Sequence, residues 1–199
     1  MEPRAAAPHP AADHPAVTMA ASLARAVAVR AALPADAAAV AAIYGHHVAT
    51  GTGSFELDPP TPVEMAERMA GIHAAGRPWL VAERAGRVLG YAYAGIYRPR
   101  LAYRYAAEDS VYLAPEAIGQ GIGRALLAAL IDACTARGDR QMIAVIGDSA
   151  NAASSGLHAA VGFTHVGCLT AAGRKFDRWL DVVLMQRALG EGATTAPGA

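Results

Sequence analysis

Three glycines stand at alternate positions where a strand-like run gives way to a helical pattern. The run Ser110 to Leu113 leads through a short loop to Gly119, Gly121 and Gly123, and apolar residues then recur at helical spacing. A helix N-terminus offers unpaired backbone N–H groups and a favourable dipole to an anion, and glycines let a phosphate approach them. The segment therefore predicts a phosphate-binding turn, although the same glycines would also serve a plain tight turn.

Other cofactor chemistries match the sequence poorly. The dinucleotide fingerprint G-x-G-x-x-G fails, because Leu126 occupies the position of its last glycine. The chain has a single lysine, Lys175, and no P-loop motif precedes it, which leaves P-loop and Schiff-base chemistry without support. His46 and His47 are adjacent on a predicted helix and point about 100° apart, so they do not form a ligand pair and no metal is expected.

Charge and cysteine content exclude several classes of partner. Lys plus Arg and Asp plus Glu both number 17 among 199 residues, so the net charge is zero. Without a basic excess, neither nucleic acid nor an anionic membrane is an expected partner. Cys134 and Cys168 are too few for a zinc cluster or a disulfide scaffold and predict reduced thiols in a cytoplasmic protein. No apolar run approaches the roughly 20 residues of a membrane helix, and the first residues lack a secretory signal pattern.

The elements that would position the glycine turn are strands and helices in alternation. The patterns predict strands at 26–30, 78–84, 87–95, 107–113, 141–146 and 179–186, and helices at 34–48, 63–72, 123–135 and 152–160. Ala85 and Gly86 indicate a hairpin turn, so the sheet is at least partly antiparallel. The order predicts an α/β (α+β) fold.

The chain is expected to form one compact domain with loose ends. Its length is at the upper end for a single domain, and its many alanines reduce the volume of side chains available to a core. Residues 1–25 are expected to be a disordered, Ala/Pro-rich N-terminal extension, residues 26–189 the folded domain, and residues 190–199 a flexible tail. The candidate chemistry lies inside the central domain.

The glycine turn and several further runs resemble one enzyme family. The segment Ile118-Gly119-Gln120-Gly121-Ile122-Gly123 is similar to the pyrophosphate loop [RQ]-x-x-G-x-[GA] of the GCN5-related N-acetyltransferases (GNAT superfamily), with Ile118 in place of the usual Arg or Gln. Most of residues 27–189 resemble the phosphinothricin and methionine sulfoximine acetyltransferase branch. The runs that carry this resemblance are 78–83, 90–94, 102–104, 108–113, 144–148, 157–158, 162–163 and 179–182. The resemblance implies the GNAT fold, a mixed, mostly antiparallel central sheet flanked by helices.

The resemblance also implies two catalytic residues. Glu108 precedes the strand that runs into the phosphate-binding turn, and it is expected to act as the general base that takes the ammonium proton of the acceptor. His158 stands where many members of the superfamily carry a tyrosine thought to act as general acid, and this branch has histidine there. Taken alone, a single histidine on an alanine-rich helix favours a packed or solvent-facing side chain. Whether His158 protonates sulfur or assists Glu108 stays open.

Acetyl-CoA is the co-substrate that the resemblance implies, without a metal. The strand before the turn is expected to pair with the pantetheine arm through its backbone, and one N–H would polarise the thioester carbonyl. Asn151 is expected to hydrogen-bond the same arm, although Asn is also a common helix N-cap, and Tyr112 is equally well explained as a structural tyrosine. The expected cofactor-binding residues are Val111, Tyr112, Leu113, Gly119, Gln120, Gly121, Ile122, Gly123, Arg124 and Asn151.

The acceptor is expected to be a small amino acid with a second oxyanion-like group. A carboxylate together with a phosphinate, sulfone or sulfoximine needs fixed hydrogen-bond donors, and the arginine fork matches such groups. Exposed arginines in a loop are also often plain surface charge. The residues that the resemblance assigns to the acceptor pocket are Phe55, Arg98, Arg100, Tyr103, Gly147 and Val182.

Together these features predict an acetyl-CoA-dependent N-acetyltransferase. It would acetylate the α-amino group of a small acceptor such as phosphinothricin, methionine sulfoximine or methionine sulfone, by direct attack in a ternary complex. Two alternatives stay open, a protein or peptide N-terminal acetyltransferase and a CoA-binding module without catalysis. The resemblance further implies a homodimer, and resistance to an antibiotic or herbicide is one role that it suggests.

Overall fold

The computed structural model describes residues 26–197 and places seven strands of this range in one sheet. The strands are β1 Ala28–Ala31, β2 Trp79–Arg84, β3 Arg87–Ile96, β4 Ala106–Leu113, β5 Gln141–Gly147, β6 Thr164–Lys175 and β7 Arg178–Ala188. Their spatial order is β1-β2-β3-β4-β5-β7-β6. β4 and β5 pair in parallel, and the other neighbours are antiparallel. The predicted mixed, mostly antiparallel sheet is confirmed.

Helices cover both faces of this sheet. They are α1 Ala37–Thr50, α2 Pro62–Ala74, α3 Ile122–Arg137 and α4 Ala152–Ala160, with short 3-10 turns at Pro34–Asp36, Leu101–Tyr103 and Pro115–Ala117. Tyr112 on β4 contacts Tyr44 of α1, whereas its neighbour Leu113 approaches Gly123 of α3. Because successive strand residues point to opposite faces, α1 and α3 lie on opposite sides of the sheet.

Local sequence explains where these helices begin and end. Thr61 and Glu64 form a capping box at the start of α2, with Pro62 at the first helical position. Helix α3 begins after Gly121 and ends before Gly138, whose φ angles are 77° and 95°. Both glycines occupy the left-handed region, which a residue with a Cβ adopts only at a cost. The bounds of α3 are therefore set by glycine at each end.

The core forms where the helical and strand patterns predict it. The residues of α3 that recur at helical spacing are buried, among them Leu126, Leu130 and Cys134. Between β2 and β3, Ala85 and Gly86 both have positive φ angles, as a two-residue hairpin turn requires. No helix of the described residues is long and apolar enough to cross a membrane.

Strand β6 is the element that the sequence patterns missed. Residues 164–175 are exposed at nearly every position, because β6 is the edge strand, and its pairing with β7 is interrupted by two register shifts. The strand therefore lacks the apolar alternation that marks the others. Residues 190–195 form turns and bends, and Arg140 donates hydrogen bonds to the carbonyls of Gly192 and Ala196. The predicted N-terminal extension, residues 1–25, lies outside the described residues.

Candidate active site

Strands β4 and β5 pair over their first halves and then diverge. The parallel ladder runs from Ala106 opposite Gln141 to Asp109 opposite Ala144. Beyond that point β4 continues its ladder with β3, and β5 continues with β7. A cavity of about 710 Å³ opens between the diverging ends and extends to the start of α3 and the side of α4. The backbone edges that face this cavity are free to pair with an extended ligand.

The predicted phosphate-binding turn lies at the end of this cavity. Gly119 and Gly121 have φ angles of 78° and 77°, and both line the cavity. Within the described part of the chain, the backbone N–H groups of residues 119–124 have no protein acceptor. Gly119, Gly121, Gly123 and Arg124 line the cavity, and their N–H groups at the start of a 16-residue helix form a cradle for an anion. The residues present therefore fit the pyrophosphate of acetyl-CoA.

Two of the ten predicted cofactor residues turn their side chains away from the cavity. Gln120 donates to the carbonyl of Glu116 and accepts from Arg84, and Ile122 is buried in the core. Ile118, which replaces the family's Arg or Gln, is exposed and lines the cavity. The eight that line the cavity are Val111, Tyr112, Leu113, Gly119, Gly121, Gly123, Arg124 and Asn151.

Glu108 occupies the last part of the paired region, one residue before the strands diverge. It is half-buried and lies opposite Gly95 of β3 and Ile143 of β5. Burial raises the pKa of this carboxyl above its usual value, the neighbouring Asp109 raises it further, and the charge of Arg98 opposes both. A carboxylate with a raised pKa is a stronger base once it is ionised, which suits a group that removes a proton near neutral pH.

His158 lines the cavity from α4 and is almost completely buried. Its Nε2 lies 2.9 Å from Oδ2 of Asp109, and its Nδ1 lies 2.8 Å from the carbonyl oxygen of Ser154. Burial acts to lower the pKa of His158, but the hydrogen bond and charge of Asp109 and the Ser154 carbonyl outweigh it and raise the pKa. Since Asp109 follows Glu108 on β4, the His158 pair lies on the opposite face of the sheet from Glu108.

Two further side chains bind the strand and helix ends around the cavity. His47 of α1 donates from Nε2 to the carbonyl of Leu113 at 2.7 Å, and burial lowers the pKa of this ring. Asn151 accepts from the N–H of Ser154 and caps α4, which is the structural role anticipated for it. Its amide nitrogen lies beside Gly53, within the lining of the cavity.

Three of the predicted acceptor residues come together beside the end of β5. Gly147 pairs with Val182 of β7, and the ring of Phe55 rests against Gly147. A Cβ at Gly147 would lie 2.8 Å from that ring and 2.6 Å from the carbonyl of Thr52, so only glycine fits. The ring also covers Gly173 of β6. The loop between α1 and α2 is thereby pressed onto the sheet next to the cavity.

A buried lysine holds this loop in place. Lys175, the single lysine of the chain, is 3% exposed and donates from Nζ to the carbonyl of Ser54 at 2.9 Å. Burial lowers the pKa of Lys175, and Glu56 partly offsets this. Tyr44 donates to Glu56, and burial raises the pKa of Tyr44 to about 12. These contacts fix the loop on both sides of Phe55.

The structure separates the remaining predicted acceptor residues from these three. Arg98 and Arg100 line a second cavity, of about 640 Å³, at the N-terminal ends of β4 and β5. Tyr103 is partly exposed in the same loop and contacts Tyr97 edge to face. The charge of Arg98 nevertheless reaches Glu108, where it partly offsets the rise in the pKa of that carboxyl. The six predicted acceptor residues therefore form two separate groups, one around Phe55 and one in the loop of Arg98.

Sequence reasoning missed Asp109 and Lys175 as parts of the site. Asp109 pairs with a residue 49 positions away, and Lys175 with one 121 positions away. Periodicity does not report contacts at such separations. One signal was present for Asp109, because a charged residue on the same strand face as Val111 and Leu113 points toward a buried helix and requires a partner.

Comparison with known proteins agrees with this geometry. The model of the acetyltransferase (GNAT) family matches residues 40–163. The chain is 55% identical to phosphinothricin N-acetyltransferase of Alcaligenes faecalis, with 95% of this chain and 96% of that protein covered. It is 43% identical to the L-methionine sulfoximine/L-methionine sulfone acetyltransferase of Pseudomonas paraeruginosa, with 79% and 92% covered. The crystal structure of a phosphinothricin acetyltransferase from Sinorhizobium meliloti in complex with AcCoA is 48% identical, with a TM-score of 0.84 and 86% and 93% covered.

The chain therefore belongs to the GNAT family of acetyltransferases. Within that family it is similar, over nearly its whole length, to phosphinothricin N-acetyltransferases. The family resemblance, the fold and the N-acetyltransferase class predicted from the sequence are confirmed, with acetyl-CoA as co-substrate. Among the described residues, no group of three or more His, Cys, Asp or Glu side chains could hold a metal ion. The roles of individual residues stay predictions.

Proposed function

We propose that this enzyme transfers the acetyl group of acetyl-CoA to the α-amino group of phosphinothricin, methionine sulfoximine or methionine sulfone. The divergence of β4 and β5 carries this proposal, because it opens a cavity with a phosphate cradle next to Glu108, which lies one residue before the strands separate. The identity to relatives named for these three acceptors supports the acceptor class.

Acetyl-CoA supplies an acetyl thioester, and the chain supplies the groups that bind it. The free N–H groups of residues 119–124 would hold the pyrophosphate, and the exposed edges of β4 and β5 would pair with the pantetheine arm. Gly123 lies against Leu157 and Leu113, which brings the start of α3 close to α4 and narrows the opening between strand and cradle. These contacts would direct the thioester end toward Glu108.

Glu108 would act as the general base. Its raised pKa, caused mainly by burial, keeps the ionised form reactive toward an ammonium group. The neutral amine would then attack the thioester carbon directly. Cys134 is buried in α3 and Cys168 lies on the edge strand β6, and neither lines the cavity, which supports direct attack without an acetylated cysteine.

Arginines and the walls near β5 would recognise the acceptor. Phe55, Gly147 and Val182 would form the apolar wall, and Arg98, Arg100 and Tyr103 would supply donors to its oxyanion groups from the separate loop beside the second cavity. Loop and wall are therefore the two specificity elements of the proposal.

We further propose a cytoplasmic homodimer with a role in resistance to such compounds. Free cysteines fit a reducing compartment, and acetyl-CoA is a cytoplasmic co-substrate. The β6 and β7 edge exposes large apolar side chains that suit a subunit contact. They are Val166 (57% exposed), Leu169 (52%), Phe176 (53%) and Trp179 (67%). Light scattering after size exclusion would measure the mass, and a monomer at micromolar concentration would contradict the dimer.

Release of free thiol tests the acceptor class directly. Purified protein, acetyl-CoA and each of the three acceptors are expected to release one thiol per acetylated amine, which mass spectrometry would locate on the α-nitrogen. Methionine, glutamate and short peptides with free N-termini serve as comparison acceptors. Activity confined to the peptides would replace the proposal with N-terminal acetylation. Acetyl-CoA binding with no turnover on any amine would favour a binding module.

A further inference from the structure

The pair formed by Asp109 and His158 has a property that its geometry alone defines. Both side chains are shielded from solvent, with side-chain exposures of 1% and 3%. Nδ1 of His158 lies 2.8 Å from the carbonyl oxygen of Ser154 and 3.4 Å from the hydroxyl oxygen of the same residue, and Nε2 lies 2.9 Å from Oδ2 of Asp109. A carbonyl oxygen and a carboxylate oxygen can only accept hydrogen bonds. Both ring nitrogens therefore meet acceptors at hydrogen-bond distance.

With Asp109 ionised, this arrangement determines the proton count of the ring. A neutral imidazole has one N–H, so one of its nitrogens would present a lone pair to an acceptor oxygen. Two acceptor atoms that face each other without a hydrogen bond destabilise a folded protein when both are buried. The doubly protonated imidazolium satisfies both contacts, and Asp109 supplies its counter-charge. The pair is therefore stable as an imidazolium and a carboxylate.

The surroundings provide no competing charge contact with the ring. Asp109 on β4 is the charged side chain that acts on the pKa of His158, and the other contributor is the Ser154 carbonyl of its own helix. From β5 the cavity is lined by Ala144, Val145 and Ile146, which do not titrate. The ring of Phe163 meets His158 edge to face at 5.1 Å. Glu108 lies on the opposite face of β4.

We propose that Asp109 is a positioning residue for acetyl transfer, because it fixes His158 as an imidazolium in the wall of the cavity. The inference rests on the proposed function. During transfer a bond forms between the acceptor nitrogen and the acetyl carbon, and the bond between that carbon and sulfur breaks. The amine proton goes to Glu108, and the electron pair leaves on sulfur as the thiolate. The positive charge of His158 stabilises that thiolate, and the ring of His158 takes no proton from the amine.

The second carboxylate oxygen of Asp109 also indicates a role in the site. Its Oδ1 is buried and has no hydrogen-bond partner among the described residues, although it lines the same cavity as His158. A carboxylate placed only for stability would normally have both oxygens satisfied. Here one oxygen holds the ring of His158, and the other is free to accept a hydrogen bond from a group bound in the cavity. The two groups therefore act as one unit of the cavity wall.

The variant Asp109→Asn separates charge from shape. The amide has the same size as the carboxylate, and its NH₂ group can donate to Nε2 of a neutral His158 while Nδ1 still donates to Ser154. The hydrogen bonds are retained, but the imidazolium loses its counter-charge. Asp36→Asn is the matched control, because Asp36 is also a buried aspartate that pairs with a cation, Arg30, away from the cavity.

Nitrogen NMR of histidine-labelled protein reads the protonation state without substrate. The signals of His158 are assigned by their loss in His158→Gln. We expect two protonated ring nitrogens for His158 at pH 8 in the wild type and in Asp36→Asn. In Asp109→Asn we expect one protonated and one bare nitrogen. A neutral His158 in the wild type at pH 8 would overturn the proposal whatever the acceptor of the enzyme is.

Kinetics then test whether the charge matters for transfer. Asp109→Asn is expected to lower kcat on the order of 100-fold, which is typical when one stabilising group for a developing anion is lost. The KM for acetyl-CoA is expected to stay within about twofold, since the group acts on the transition state. The double variant Asp109→Asn/His158→Gln should lose no more than His158→Gln alone. An unchanged kcat in Asp109→Asn with altered NMR signals would overturn the positioning role.

The outcomes distinguish this proposal from the function on which it rests. If the wild type acetylates none of the three acceptors, the kinetic arm is run on whichever amine the comparison panel identifies, and the NMR arm stands unchanged. Thermal unfolding of both aspartate variants gives the structural reference. A fall in Tm equal to that of Asp36→Asn, with a much larger loss of kcat, is the expected result. Equal losses of Tm and kcat in the two variants would assign Asp109 to stability alone.

Discussion

The two ends of strands β4 and β5 carry cavities of similar size, about 710 and 640 Å³, but they are built from different chemistry. At the end where the strands diverge, the anion-binding groups are backbone N–H groups around glycines. At the paired end, six arginines line the cavity, and Asp139 holds Arg77 and Arg137. Positive charge alone therefore does not mark the catalytic end. What distinguishes it is free backbone, at the glycine turn and along the diverging edges of β4 and β5.

This difference explains how an enzyme with one lysine can bind a phosphorylated co-substrate. Backbone N–H groups need no side chain, only glycines that accept left-handed geometry at Gly119 and Gly121. At the arginine-lined end, ion pairs neutralise part of the positive charge, since Arg77 and Arg137 share the carboxylate of Asp139. Each of the following variants changes one end and leaves the other intact.

The largest effect is expected for Glu108→Gln at the divergent end. Loss of the base should lower kcat/KM for the acceptor on the order of 1,000-fold near pH 7, with acetyl-CoA binding retained. In the wild type, kcat/KM should rise with pH through the raised pKa of Glu108, because the ionised form is the base. Rates measured from pH 5 to 9 should show this rise, and the variant should lose it. A parallel rise in the variant would assign the base to another group.

The next effect is expected for Gly121→Ala, with Gly138→Ala as its matched control. These glycines flank α3, both have positive φ angles, and a Cβ on either would meet nothing within 4 Å. Each substitution should therefore cost about 1 kcal/mol of stability through backbone strain. Calorimetric titration should show that the Kd for acetyl-CoA rises about tenfold in Gly121→Ala alone, because its Cβ enters the phosphate cradle. Equal Kd values in both variants would show that acetyl-CoA does not bind at the glycine cradle.

A smaller effect is expected for Lys175→Met, which frees the loop that carries Phe55. The hydrogen bond to Ser54 is worth about 1 kcal/mol, so the KM for the acceptor should rise roughly fivefold. The Kd for acetyl-CoA should not change. Arg174→Met is the control, because Arg174 is an exposed neighbour on β6 that pairs only with Asp177 in the described structure. A rise in the Kd for acetyl-CoA instead would place Lys175 at the co-substrate.

The smallest effect on turnover is expected at the paired end, for Asp139→Asn. This change leaves the buried Arg77 without its carboxylate and should lower the free energy of unfolding by about 3 kcal/mol. kcat at 20 °C should stay within about twofold, because neither group lines the divergent cavity. Denaturant titration and thiol release on the same preparation would check both parts. A large loss of kcat in folded protein would show that the paired end affects turnover at the divergent end.

The sequence predicted the fold well because its strongest signals are local. The Ala85–Gly86 turn, the glycine-bounded α3 and the apolar face of that helix each depend on residues a few positions apart. Strand β6 escaped prediction because an exposed edge strand has no buried face to impose alternation. Local signals thus specify the elements that surround the cavity.

The site was predicted in part, and the missing part consists of distant contacts. The glycine cradle lies within one segment, so its pattern could be read directly. The pairing of Asp109 with His158 and of Lys175 with Ser54 depends on which elements meet in space. The same reason divides the predicted acceptor residues, since the loop of Arg98 and Arg100 meets the other cavity. The residue types indicated what chemistry each side chain could do, and the topology of the fold decided which cavity each side chain reached.

Amide NMR of the labelled protein during titration with acetyl-CoA tests the contrast between the two ends most directly. We predict that the largest shifts fall on the N–H groups of residues 119–124 and on residues 110–113 of β4. Residues 98–105 and 138–140, around the arginine-lined cavity, should change little. Shifts concentrated on those arginine-bearing segments, with the glycine cradle unaffected, would contradict the assignment of the divergent end as the acetyl-CoA site.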